Sequence, residues 1–153
     1  MPQLSEPSRA LTAINEHIEL REIRARELFC VREEVEDPEE QPRFALQVDL
    51  TNLEDLEPGE PRPFRYGLKL ELETPDGRTR VAVEGRYTVA AEHAASLDMA
   101  LAVEYANHVA LMALLPYVRQ ALTDLSNRVL DNQILMPIFQ RGAISFDPPA
   151  DAG

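Results

Sequence analysis

Polar and apolar residues alternate with a period of two along much of the chain between residues 18 and 90, and with a helical period beyond it. Phe44 to Thr51 alternates cleanly: Leu46, Val48 and Leu50 point one way, Gln47 and Asp49 the other. Phe64 to Glu73 sets Leu68, Leu70 and Leu72 against Lys69, Glu71 and Glu73. Arg80 to Ala90 sets Val81, Val83, Tyr87 and Val89 against Glu84, Arg86 and Thr88. Such runs predict strands with one apolar and one charged face. Ile18 to Arg32 is longer, and its parity slips between Leu20 and Ile23 and again between Ala25 and Leu28, which predicts bulges or a strand with two half-buried faces. Thr74-Pro75-Asp76-Gly77 supplies a turn between the third and fourth strands. Together these segments predict a four-stranded antiparallel sheet. Ser5 is the expected cap of a short helix over about Pro7 to Glu16.

From Ser96, the expected cap, the spacing is helical to about Leu130. The first half carries two apolar stripes, one of Leu101, Tyr105, His108, Met112 and Leu115, the other of Val103, Ala106, Ala110 and Leu114. One stripe is enough to cover a sheet. The second is therefore expected to meet another subunit, with Leu101, Val103, Tyr105, Ala106, Ala110 and Leu114 as the oligomer interface. Pro116 is expected to end this helix and open a second, Tyr117 to Val129, whose single stripe is Val118, Leu122, Leu125 and Val129. The following "ILMPIFQRGAISFD" suits neither a long helix nor a regular strand; as an extended apolar segment it is expected to lie in a groove. The whole predicts an α+β domain over residues 18–147, preceded by an extension with a short helix (1–17) and followed by a disordered tail (148–153).

A chain of 153 residues suffices for one domain with a real core. Its net charge of −12 argues against nucleic acid and anionic membrane as partners. No basic start followed by an apolar block opens the chain, and the longest unbroken apolar run, Val109 to Leu115, is short of the roughly 20 residues a bilayer needs. The single cysteine, Cys30, excludes an internal disulfide. A cytoplasmic protein is the expectation.

Catalytic chemistry is not visible. There is no phosphate loop, no Cys/His metal cluster and no nucleophile motif, and His17, His93 and His108 are scattered. His108 reads as a packed core or interface residue and Cys30 as a small buried hydrophobe. The acidic run Glu33 to Glu40 lacks the alternating ligands and glycine of a calcium loop and reads as solvated. These features favour a binding protein over an enzyme, with no cofactor and no metal.

"NHVALMALLPYVRQALTDLSNRV" followed by "ILMPIFQRGAISFD" resembles the C-terminal half of the SecB export chaperones. The matching positions are Pro116, Tyr117, Arg119, Leu125, Arg128, Pro137, Phe146 and Asp147, with Ser145 in place of an asparagine. "EIRARELFCVRE" is similar to the family's opening strand. The resemblance implies a homotetramer, a dimer of dimers, that binds unfolded preproteins in apolar grooves without nucleotide and serves protein export. It also implies docking of the motor SecA on the exposed sheet face, where Glu27 and Glu84 keep acidic positions but Val31 and Ala82 replace another acidic residue and a leucine. The family's aromatic-rich loop between its first two strands is here acidic, and its glycines before the long helix are missing. Some SecB-like proteins serve one client instead, an antitoxin; an oligomeric domain without clients is the other reading. A client groove would draw on Leu46, Val48 and Leu50 of the sheet, Met112, Leu115 and Tyr117 around the helix break, and Met136, Ile138, Phe139 and Phe146 of the tail. Met112, Met136, Ile138 and Phe139 lead this set, because methionine adapts to varied partners and the tail is irregular.

Overall fold

The computed structural model describes residues 5–137 and 139–148; Ile138, and most of the expected tail over 148–153, lie outside the described residues. Four antiparallel strands, β1 (Ile18–Arg32), β2 (Arg43–Leu50), β3 (Arg62–Thr74) and β4 (Gly77–Val89), form one sheet in the order β1-β4-β3-β2. The alternation in β3 and β4 has its expected consequence. Leu68, Leu70, Val81, Val83 and Val89 are buried on the inner face, while charged residues stand on the outer one. β1 shifts register between Leu20 and Glu22 and between Ala25 and Glu27, so Arg21 and Arg26 are the extra residues and the parity slips are real bulges.

The helical half packs on the inner face. A short helix α1 (Arg9–Asn15) precedes β1, and α2 (Met99–Tyr105) and α3 (Leu111–Val129) follow β4. Four aromatic rings mark the centre of the interface, Phe64, Tyr66, Tyr87 and Tyr105, with every pair of centroids 5.5–6.3 Å apart. The Tyr66 hydroxyl donates to the Ala102 carbonyl at 2.5 Å, which ties β3 to α2. Burial raises the pKa of these phenols, that of Tyr105 to about 12, so they stay neutral across the physiological range. Arg62 is buried without a carboxylate partner; it donates to the carbonyls of Thr51, Ala94 and Leu97 at 2.7–3.0 Å and so closes the short 3₁₀ segment Ala91–Ser96 against β3.

Four expectations need correction. α1 is capped by Ser8, not Ser5, because it is the Ser8 Oγ that accepts from the Leu11 N–H, at 3.1 Å. α2 is capped by Asp98, whose carboxylate accepts from the Leu101 N–H at 2.8 Å, with Ser96 ending the 3₁₀ segment before it. Pro116 lies inside α3. The change of helix falls upstream, in a π turn over Ala106–Ala110 where the Leu111 N–H reaches back to the Ala106 carbonyl. The widened turn admits one extra residue, and α3 then runs through Pro116 without stopping.

The fourth concerns the double stripe. Leu101, Val103, Tyr105, Ala106, Ala110 and Leu114 are all buried within the single chain. Leu11 and Ile14 of α1 join the same core, and Ser8 pins α1 to α2 by donating from its N–H and Oγ to the Glu104 carboxylate at 2.9 and 2.6 Å. The chain covers its own second stripe, so that stripe is no argument for a second subunit. The same burial bears on the helical span Met99–Val129. Its 31 residues reach a mean hydropathy of 1.3 over 18 residues, enough by length and composition to cross a membrane, but 61 % of that window is buried inside the protein, as in a core helix.

Two backbone approaches set the helix height above the sheet. A Cβ at Gly85 would sit 2.9 Å from Leu114 Cδ2 and 3.0 Å from the Tyr87 ring, and one at Gly77 would overlap the Val31 carbonyl and the Leu130 side chain. Gly67 is different, since its Cβ would meet only Gln47 Cβ, at 3.7 Å. Gly85→Val should therefore cost about 1–3 kcal/mol by overpacking, while Gly67→Ala should be nearly neutral, as urea unfolding will show. The turn carries a pH dependence. The Thr74 hydroxyl, followed by the backbone N–H groups of Asp131 and Asn132, holds the Asp76 carboxyl below its ordinary value. A depressed folded-state value stabilises above the unfolded value of roughly 4 and is lost as pH falls through the folded one. Asp76→Asn should be less stable than the parent at neutral pH, and the gap should close in acid below about pH 4 when thermal midpoints are compared.

Candidate functional site

After α3 the chain turns back along it as an irregular strap, residues 130–137 and 139–146, fixed at both ends. At one end the Ile134 N–H donates to Ser126 Oγ at 2.8 Å, and Thr123 Oγ1 donates to the Ile134 carbonyl at 3.3 Å. At the other, the Asn107 side chain imitates a strand neighbour: its amide donates to the Phe146 carbonyl and its oxygen accepts from the Phe146 N–H, both at 2.8 Å. The π turn is what carries Asn107. Between the clamps, Phe139 packs edge-on against Phe44 of β2, centroids 6.0 Å apart.

Two hollows adjoin the strap. The larger, about 780 Å³, runs from the edge of β1 over the exposed flank of α3 to the strap. Its apolar contributors are Leu28, Tyr117, Ala121, Leu135 and Met136, and Gln120, Asp124, Asn127 and Arg128 supply polar groups. Three of these apolar side chains face solvent to an unusual degree, Leu28 at 55 %, Tyr117 at 50 % and Leu135 at 73 %. The smaller, about 120 Å³, is lined by Met112, Leu115, Pro116, Met136, Pro137 and Phe139, with Arg119 beside it. That volume admits one aliphatic side chain. Pro116, which has no N–H to offer the Met112 carbonyl one turn back, lies on the wall of this hollow.

The structure thus brings together Met112, Leu115, Tyr117, Met136 and Phe139 from the sequence-derived set, around two neighbouring hollows that share Met136 and Arg119. It does not bring the rest there. Leu46, Val48 and Leu50 are half-buried and pack against the core, and Phe146 is half-buried at the Asn107 clamp. Leu28 and Leu135 went unnoticed in the sequence because the first alternates like any strand residue and the second belongs to a segment with no period. The clamp residues Asn107, Thr123 and Ser126 had no readable signal, since their partner is an irregular segment.

On the outer sheet face, Glu27 is half-buried with Arg80 at 3.5 Å. Glu84 is only 6 % exposed and lies between Arg86 at 3.2 Å, Arg65 at 3.4 Å and Arg26 at 3.5 Å. It offers no free carboxylate to a docking motor. Among the described residues no group of three or more His, Cys, Asp or Glu side chains is placed to hold a metal ion.

No family model matches the chain, and neither does any curated protein. Among solved structures, it is similar to the Mycobacterium tuberculosis SecB-like chaperone Rv1957 in complex with a ChAD peptide from the HigA1 antitoxin Rv1956. The TM-score is 0.60 at 15 % identity, over 86 % of this chain and 94 % of that one. The chain has a SecB-like fold. A protein of unknown function from Streptococcus agalactiae is also similar, with a TM-score of 0.54 at 10 % identity over 80 % of this chain and 97 % of that one. The likeness to the SecB-like structure covers 86 % of this chain, and four strands ahead of the helices is the order that the sequence resemblance implied.

The clamps make the strap a separable part of the SecB-like fold. Asn107→Leu should release the strap near Phe146 while keeping the helix, so amide exchange should rise over residues 139–146 and remain slow in β3 and β4. Unchanged exchange there would show that the reciprocal amide bond does not hold the strap.

Proposed function

We propose that this protein is an ATP-independent chaperone that holds an unfolded polypeptide segment along the flank of α3. The observation that carries the reading is the exposed apolar line Leu28, Tyr117 and Leu135, running beside Met136 into a hollow sized for one side chain. Single exposed hydrophobes are ordinary, but a contiguous line rimmed by polar groups marks a binding surface. Methionines and a strap without regular structure adapt to differing side chains. None of this requires a nucleotide, a metal or a catalytic group. The SecB-like fold supports the same reading.

A second observation favours a narrow client range over general export. Of the two acidic positions that the family resemblance assigns to motor docking, Glu84 is enclosed by arginines and only Glu27 stays accessible, so the contact with SecA loses half of its acidic anchor. We therefore favour a dedicated client, such as an antitoxin, over a stream of preproteins. A homotetramer in the cytoplasm is the assembly this reading expects. Its contacts would have to come from residues exposed in the single chain, such as Leu20 and Phe29 of the edge strand β1.

The test is capture of a denatured client without nucleotide, followed by light scattering. The wild type should suppress aggregation. Tyr117→Ser with Leu135→Ser should weaken capture by about tenfold or more, at about 1–2 kcal/mol for each truncated contact. Because both side chains are exposed, the thermal midpoint should hardly move. A double variant that captures as well as the wild type would remove the trough from the mechanism. A wild type with no capture at all would favour an oligomeric domain without clients. Pull-down from the native host then separates one small partner beside a toxin from precursors with SecA.

A further inference from the structure

The outer face of the sheet carries a second groove, away from the strap. Two adjoining hollows, about 560 and 270 Å³, share Arg65 and Asp49. Arg21, Arg65 and Arg86 line the first, and Arg26, Arg65 and Lys69 the second. The carboxylates in these walls are Asp49 and Glu84. Their accessibility is unequal. The five cations are each roughly half exposed, whereas the central carboxylate, Glu84, is nearly sealed beneath three of them. On the rim, Glu19, Glu22 and Glu71 approach Arg21, Arg86 and Lys69, Glu27 approaches Arg80, and Arg24 and Arg43 pair in turn with Glu22 and Glu71. Lining and rim together set eight cations against six carboxylates, so the groove keeps a small positive excess on a chain whose net charge is −12.

The floor is low. Ala45, Gly67 and Ala82 line the second hollow. Gly67 has no backbone or packing need to be glycine: its φ lies outside the left-handed region, and a Cβ would have ordinary contact with Gln47 alone. A glycine inside a strand costs stability and marks places where another backbone approaches closely. Among the described residues nothing covers the outer face, which leaves it open to a segment of another molecule.

We propose that this groove docks an extended acidic segment of a partner protein, laid along β3 over Gly67. Arg65 and Lys69 lie four residues apart on one face of β3, about 13 Å. The matching ligand carries carboxylates at positions i and i+4 of an extended segment. Asp49, about half exposed, accepts from a peptide N–H, a donor that the backbone of a nucleic acid does not have. The surface is independent of the apolar trough and holds whether or not the trough captures clients.

The probe is a short fluorescent threonine-rich peptide with glutamates four apart, measured by anisotropy against the full chain. It should bind at low salt and weaken by about tenfold or more at high salt, as screened charge contacts do. Arg65→Gln with Lys69→Gln should reduce affinity by about tenfold or more. Gly67→Val fills the floor without touching a charge, and should abolish binding while circular dichroism and the thermal midpoint stay those of the wild type. Tyr117→Ser with Leu135→Ser should bind the peptide normally. The proposal is overturned if Gly67→Val binds as the wild type does, or if the lysine version of the peptide binds equally well. A single-stranded oligonucleotide that binds more tightly than the glutamate peptide would also overturn it. So would salt-sensitive self-association abolished by Arg65→Gln, because a second copy would then occupy the groove.

Discussion

The helical segment Met99–Val129 carries apolar residues on more sides than one sheet can cover, and much of the chain is arranged around that excess. The inner sheet face takes one side through Leu68, Val83 and Tyr87. α1, with Leu11 and Ile14, takes part of another, and the strap takes more. Covering each aliphatic side chain is worth about 1.5–3 kcal/mol, so α1 and the strap are held by the same force as the core and need only a few polar contacts for register. Ser8 on Glu104 supplies one, and Asn107 on Phe146 another. What stays uncovered is the flank of α3 toward β1, where Tyr117 and Leu28 face solvent. A binding surface arises here as the remainder of an incomplete core.

That origin explains why the surface is both adaptable and compatible with a stable fold. Leu135 and Tyr117 contribute little to the core, so a client can move them at small cost, while the clamps at Ile134 and Phe146 keep the strap in place. Met136 is buried yet lines both hollows, and an unbranched side chain can shift between them without opening a void. The rigid parts lie one layer deeper, where Gly85 lets Leu114 rest almost on the strand backbone.

The features legible in the sequence were those with a period. The four strands follow from alternation, and the bulges at Arg21 and Arg26 from two parity slips, because side chains in a strand can change face only by adding a residue. The apolar residues of α3 and the tail that meet at the small hollow were readable as a set from their composition. Decisions between near-equal local choices were not readable. Ser5 and Ser8 are both competent caps, and Ser8 is selected by its tertiary contact with Glu104. Pro116 reads as a helix break, but packing of Leu114, Leu115 and Val118 keeps the helix intact around it, and the π turn takes up the irregularity instead. The second stripe on Met99–Val129 signalled burial correctly. Its covering partner was misassigned because α1 and the strap, lying far away in sequence, have no pattern that ties them to it. Glu84 looked available because it falls on the charged parity of β4, yet a charged parity says nothing about how closely neighbouring arginines enclose it.

The two sheet faces also answer a problem posed by β1. An edge strand of 15 residues exposing Leu20, Leu28 and Phe29 is open to indiscriminate pairing. Both extra residues of its bulges are arginines, and each bulge interrupts the regular row of backbone donors and acceptors that another strand would need. Phe29 is further occupied by the Arg80 guanidinium, 4.3 Å above its ring. The arginines of the outer face thus also blunt the edge. Only a strand that matches two interruptions and tolerates two cations can pair along the whole of β1, a much narrower requirement than apolar alternation alone would impose.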